Sequence, residues 1–317
     1  MKNISNLIFA SVLLVIAAAT GCQKISVEGE PEGWANKVRF TLSTPSPVTK
    51  AIGDGMKAKT VYYAAFVNGK VVPSLCNEIE LDENGNAVIN VDLVRYVDYR
   101  FVFWAQTPVD ESKQQYYDMS TFFSDGKIKV NYEIKANDDL RDAFCAAQDI
   151  YVKGKKEVKV TLRRPFAQIN FCASDYELLK QLDLQKGMMS QMKAVGIADT
   201  INLLDGSVSF SEGFSSEALF EAAPIPSGED EYITVLNKQY GYCGMNYVLA
   251  SEYGDMVSVK GSFINGETTW ETVLLPNVPI RRNYKTNILG ELFVEHGQLH
   301  IVIEPDFDSS DEVITIQ

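Results

Sequence analysis

Short apolar and β-branched runs, each closed by Gly, Pro, Asn or Asp, recur from residue 38 to the end of this chain, and that recurrence restricts the fold more than any other feature. Strands of this length with few helical patterns between them bury their apolar faces by stacking one sheet on another. Residues 60–67 run into Asn68-Gly69, a two-residue hairpin signal, and then into Lys70-Val71-Val72. Ile79-Glu80-Leu81 passes through Asp82-Glu83-Asn84-Gly85-Asn86 to a partner at 87–91. Residues 99–105 are apolar with aromatic bulk, as suits a strand covered on both faces. Lys159-Val160-Thr161-Leu162-Arg163 alternates at period two, and Pro165 predicts a bulge or an edge in the middle of the run 158–171. The second half repeats the pattern, with runs at 194–197, 208–210, 232–236, 247–251, 256–263, 268–275, 284–294, 299–303 and 313–316.

One helix interrupts the series. Residues 175–185 place Leu178, Leu179 and Leu182 at helical spacing, with Asp175 available as a cap. The expected architecture is therefore all-β: two antiparallel β-sandwich domains in tandem, divided at this helix into residues 37–174 and 175–317.

The start of the chain follows different rules. Lys2 precedes an apolar run over residues 7–19 that is too short to span a bilayer, and the run ends in Ala19-Thr20-Gly21-Cys22. Small residues before a cysteine resemble the bacterial lipobox, so residues 1–21 read as a lipoprotein signal peptide and Cys22 as the acylated first residue of the mature protein. A lipid there anchors the chain to the outer membrane without spanning it. Residues 22–36, with Gly29, Pro31 and Gly33, read as a tether. The roughly 300 residues that remain favour two domains over one. A formal net charge of -13 argues against nucleic acid as a partner.

Nothing in the chain marks a catalytic centre. No Gly-x-Ser-x-Gly elbow, phosphate-cradling Gly-Lys-Ser/Thr loop or His-Glu-x-x-His occurs, and no cofactor site is expected. In an extended segment His296 and His300 would stand roughly 13 Å apart, too far to share an ion, so no metal site is assigned. The acidic stretches at 82–86 and 306–311 lack the spacing of a calcium loop and read as solvated turns. Cys76, Cys145, Cys172 and Cys243 contain no CxxC pair; any pairing among them is left open. Trp104, Trp270, Tyr62-Tyr63 and Tyr116-Tyr117 suit sheet packing better than a sugar platform. A glycan-binding surface lipoprotein of a nutrient-uptake system is nevertheless the alternative function.

Two longer segments carry a resemblance. Val160-Thr161-Leu162-Arg163-Arg164-Pro165-Phe166-Ala167-Gln168-Ile169-Asn170-Phe171 and Val278-Pro279-Ile280-Arg281-Arg282-Asn283-Tyr284-Lys285-Thr286-Asn287-Ile288-Leu289-Gly290 resemble strand segments of the fimbrillin-like lipoproteins of Bacteroides and relatives. Thr49-Lys50-Ala51, Phe103-Trp104-Ala105 and Arg141-Asp142-Ala143-Phe144 add to the likeness. The resemblance implies two transthyretin-like sandwiches and a non-enzymatic fimbrial subunit or accessory adhesin at the cell surface. It implies proteolysis between Lys50 and Ala51, loss of the strand carrying Val38, Phe40 and Leu42, and β-augmentation by a strand such as Val313, Ile314, Thr315 and Ile316 of a neighbour. The partners it implies are other fimbrial subunits, the outer membrane through the lipid, and a host or bacterial surface ligand.

Overall fold

A computed structural model describes residues 37–45, 52–108, 115–295 and 297–304. Almost all regular structure in it is strand, as the turn-punctuated runs require. In the first sandwich, a three-stranded sheet places Lys37–Ser43 between Lys156–Thr161 and Asn86–Asp92. It faces a sheet in which Lys70–Val71, Thr60–Val67, Asp98–Gln106 and Phe144–Tyr151 lie side by side, with Asn77–Glu80 also against Thr60–Val67. The core between them is built from Phe40, Ile89, Phe101, Phe103, Ile150, Leu162 and their neighbours. Asn68 and Gly69 adopt φ 50° and 73°, so the predicted tight hairpin forms there.

The second sandwich has at its centre the strand Phe166–Ala173, every residue of which is buried. It lies between Lys238–Leu249 and Lys285–Gly290, with Tyr232–Val235 and Leu299–Glu304 at the edges. Across the core, Met189–Val195 is flanked by Glu217–Pro224 and Asp255–Asn265; the latter also pairs with Thr268–Glu271 and Leu275–Ile280. Pro165 therefore does not bend one long strand. It separates Lys156–Thr161 from Phe166–Ala173, which belong to different sheets, and the second of these joins the strands that follow it in sequence. The ladder of the first sheet ends earlier, where Leu162 N–H donates to the Ser43 carbonyl, and Pro165, which lacks an N–H, sits in the crossing between the two sheets.

The sandwiches are not independent. Val102 and Trp104, on the outer face of the first sandwich, belong to the same buried cluster as Phe166, Phe171 and Phe263. A small sheet joins Tyr117–Asp118 and Lys127–Val130 to Thr200–Asn202 and Val208–Ser209. Among the described strands, each sandwich also holds one parallel pairing: Lys37–Ser43 with Lys156–Thr161, and Phe166–Ala173 with Lys285–Gly290. The purely antiparallel pattern expected from hairpin signals does not foresee these, because parallel partners are distant in sequence.

The helix is shorter than its pattern, Tyr176–Gln181, and only part of its predicted face packs: Leu179 is buried, whereas Leu178 and Leu182 are exposed. Asp175 makes no capping bond. Its carboxylate accepts instead from the backbone N–H groups of Leu292 and Phe293, at 3.0 and 2.9 Å. No helix among the described residues is long and apolar enough to cross a membrane.

Candidate functional site

Val38, Phe40 and Leu42, singled out from the sequence, are each completely buried, while Arg39 between them is exposed. Strict alternation turns one side of Lys37–Ser43 into the first core. There the ring of Phe40 lies 4.7 Å from Phe101 and 5.5 Å from Phe103. Each of these three side chains contributes about 1.5–3 kcal/mol on burial. The backbone is engaged on both edges: Val38 to Ser43 align in parallel with Lys156 to Thr161, and Lys37 to Ser43 align antiparallel with Asp92 to Asn86. Removing this strand would leave two facing rows of unpaired N–H and C=O groups over an apolar floor.

The strand is fastened at its C-terminal end. The Ser43 carbonyl accepts from Leu162 N–H at 2.8 Å, and Thr44 N–H donates to the Gly85 carbonyl at 2.9 Å. Gly85 has φ +74°, and a Cβ there would stand 2.1 Å from the Thr44 hydroxyl. The acidic turn leading into Gly85 is closed by its own carboxylate: Asp82 Oδ1 accepts from the N–H groups of Asn84 and Asn86, at 2.9 and 2.8 Å.

The chain re-enters the described structure at Ile52, and a buried polar network holds it. Gly53 N–H donates to Asp139 Oδ1 at 2.8 Å, and the Gly53 carbonyl accepts from Arg164 Nη2. Arg164 forms a two-pronged pair with Asp142, both contacts at 2.7 Å, and its guanidinium stacks 4.7 Å from the centre of the Phe144 ring. Arg164 and Asp142 are almost wholly shielded from solvent. Tyr247 donates its hydroxyl proton to Asp139 at 3.1 Å. Burial pushes the Asp139 carboxyl up to about 6, helped by the neighbouring charge of Asp142 and opposed by the Gly53 and Tyr247 bonds. Gly55, at φ +80°, lies against Phe144, where a Cβ would stand 3.0 Å from the ring.

Lys50 and Ala51 lie outside the described residues, as do Cys22 and Val313, Ile314, Thr315 and Ile316. The described chain therefore brackets the expected cut: a core-filling strand ends at Ser43 on one side, and a clamp on Gly53 begins on the other. The clamp itself was not foreseen as a unit. Its signal was a pair of charged dipeptides, Arg141-Asp142 and Arg163-Arg164, each followed closely by apolar residues.

The two segments that carry the fimbrillin-like resemblance meet in space. Arg164 N–H donates to Asn283 Oδ1 at 3.3 Å, and Asn283 N–H donates to the Phe166 carbonyl at 2.8 Å. Asn283 sits at φ 65°, a conformation that asparagine tolerates better than most residues. From there the strands pair in parallel, Gln168 with Lys285 through Ala173 with Gly290.

The aromatic candidates are packed. Trp104 is fully buried and donates to Gln106 Oε1 at 2.7 Å, and half-buried Trp270 meets Phe293 edge-on at 5.7 Å. The four cysteines after Cys22 are unpaired, and Cys145, Cys172 and Cys243 are buried. Among the described residues no group of three His, Cys, Asp or Glu could hold a metal ion.

Similarity to known proteins follows the fold. A candidate cell adhesion protein from Bacteroides uniformis superposes with a TM-score of 0.51 at 14% identity, over 87% of this chain and 99% of its own. A candidate polysaccharide-binding protein from Bacteroides thetaiotaomicron scores 0.49 at 12% identity, over 89% and 98%. A fimbrial assembly protein from Parabacteroides distasonis scores 0.47 at 13% identity, over 89% and 100%. The fold shared with the first agrees with the resemblance read from the sequence. No curated protein matches the chain. Residues 33–317 match the profile described as "Family of unknown function (DUF6562)", and the chain belongs to that family.

Proposed function

We propose that this chain is a non-enzymatic subunit or accessory adhesin of a cell-surface fimbria, held first at the outer membrane by a lipid on Cys22. A cut between Lys50 and Ala51 releases Lys37–Ser43, and a strand from a neighbouring subunit, with 313–316 as the candidate, takes the vacated place. The observation that carries this reading is the position of Lys37–Ser43, the middle strand of its sheet and completely buried along its apolar side. An edge strand could leave with little consequence. A middle strand leaves a groove that another strand of the same pattern stabilises by backbone pairing and side-chain insertion. The cell adhesion name carried by a protein of similar fold supports a surface role.

Mass spectrometry of the protein isolated from its own cells tests the reading. Fragments beginning at Ala51, together with detergent-resistant oligomers on gels, are expected. A mature protein that is only monomeric and keeps an acylated Cys22 would remove the strand-exchanging role.

A further inference from the structure

A cleft of about 490 Å³ gathers Arg100, Arg163, Arg281 and Arg282 in a chain whose net charge is -13. Arg100 is paired with Asp149 at 2.8 Å, although its Nε is buried with no hydrogen-bond partner among the described residues. The other three have no carboxylate partner among the described residues. Arg282 is fixed by carbonyls alone, its Nε donating to Ala250 O at 3.2 Å and its Nη2 to Gly206 O at 2.7 Å. Arg281 donates to Glu252 O at 3.1 Å and lies 4.7 Å from the centre of the Tyr284 ring. Arg163 is exposed, and its side chain makes no bond among the described residues. Backbone carbonyls orient Arg281 and Arg282 without neutralising them, which together with Arg163 leaves donors for an anion.

We propose that this cleft binds an acidic sugar, with a uronic acid residue as the unit recognised. Arg163, Arg281 and Arg282 supply the donors for its carboxylate. Asp205, Glu252 and Thr161 also line the cleft, and the Asp205 carboxylate already accepts from Asn202 and Ser207. Such oxygens accept from sugar hydroxyls, donors that the side chains of an acidic peptide do not offer. The Tyr284 ring is covered by Arg281, so recognition is polar rather than by stacking on an exposed aromatic face. None of these side chains belongs to the core that Lys37–Ser43 completes, although Thr161 ends the strand that pairs with Lys37–Ser43.

Titration calorimetry on the intact purified protein tests this, with oligogalacturonate, its fully methyl-esterified form and polyglutamate as probes. Oligogalacturonate should bind, and the ester, which keeps the hydroxyls and loses the charge, should bind at least tenfold more weakly. Arg163→Gln and Arg281→Gln should each weaken oligogalacturonate binding severalfold with an unchanged melting temperature. Equal affinity for the ester, affinity for polyglutamate as high as for the oligosaccharide, or no saturable binding of oligogalacturonate would each overturn the proposal.

Discussion

The ring of Phe40 meets that of Phe101 at 4.7 Å and 48°, joining the two sheets of the first sandwich across their core. Phe40→Ala removes the largest side chain that Lys37–Ser43 inserts, so a loss of about 3–5 kcal/mol is expected from urea unfolding. Arg39→Ala, on the exposed side of the same strand, should stay within about 0.5 kcal/mol of the parent.

Lys50→Gln separates processing from stability. The variant should give no fragment beginning at Ala51 when its N-terminus is sequenced from cells, and its unfolding midpoint should match that of the uncut parent.

Breaking the Arg164–Asp142 pair from either side leaves a buried charge alone. Asp142→Asn is expected to cost about 3–5 kcal/mol in chemical denaturation. Arg164→Lys keeps the charge but loses the fork that serves Asp142 and the Gly53 carbonyl together, so it should also be clearly destabilised. Limited proteolysis of either variant should open new cleavage near Gly53.

Asp139 gives stability a pH dependence whose sign is opposite to that of an ordinary ion-paired carboxylate. Its carboxyl titrates near 6 in the folded protein, against an ordinary 3.8. Between those values the folded state holds a proton that the unfolded chain releases, so this group's contribution falls as pH rises from about 4 to 6. Asp139→Asn should lack that step when unfolding midpoints are compared across the range. An identical profile in the variant would assign the step elsewhere.

Gly85→Ala meets two obstacles, a positive φ and a Cβ placed 2.1 Å from the Thr44 hydroxyl. Marked destabilisation is expected, with hydrogen exchange at Thr44 rising first, because its N–H donates to the Gly85 carbonyl.

What the sequence made legible was local. Alternation identified Val38, Phe40 and Leu42 as one buried side, and Asn68-Gly69 fixed its hairpin, because both depend on neighbours within a few residues. Partner choice was not legible. Nothing near Phe166–Ala173 announces Lys285–Gly290 as its parallel neighbour, and the apolar run on both sides of Pro165 reads as one strand until the sheets are known. The helix pattern counted Leu178, Leu179 and Leu182 equally, yet only Leu179 finds a surface to cover. Asp175 looked like a cap because the residues that claim it, Leu292 and Phe293, lie 117 and 118 positions away. The Gly53 clamp was hidden for a similar reason: Gly53 and Arg164, which bond directly, are separated by 111 residues.

The parallel pairing of Val38 with Lys156 also dictates an order of events during synthesis. Lys37–Ser43 leaves the ribosome well before the strand that will lie along it, and contacts so distant in sequence form late because the loop between them must close first. Until Lys156–Thr161 emerges, the first sandwich has an unfilled slot and its earliest strand has no complete seat. The seat of the earliest strand is thus completed by one of the last strands of its sandwich, so closure waits on nearly all of that domain. Loss of Lys37–Ser43 would empty a different place, the one between Lys156–Thr161 and Asn86–Asp92, with both neighbours already in position.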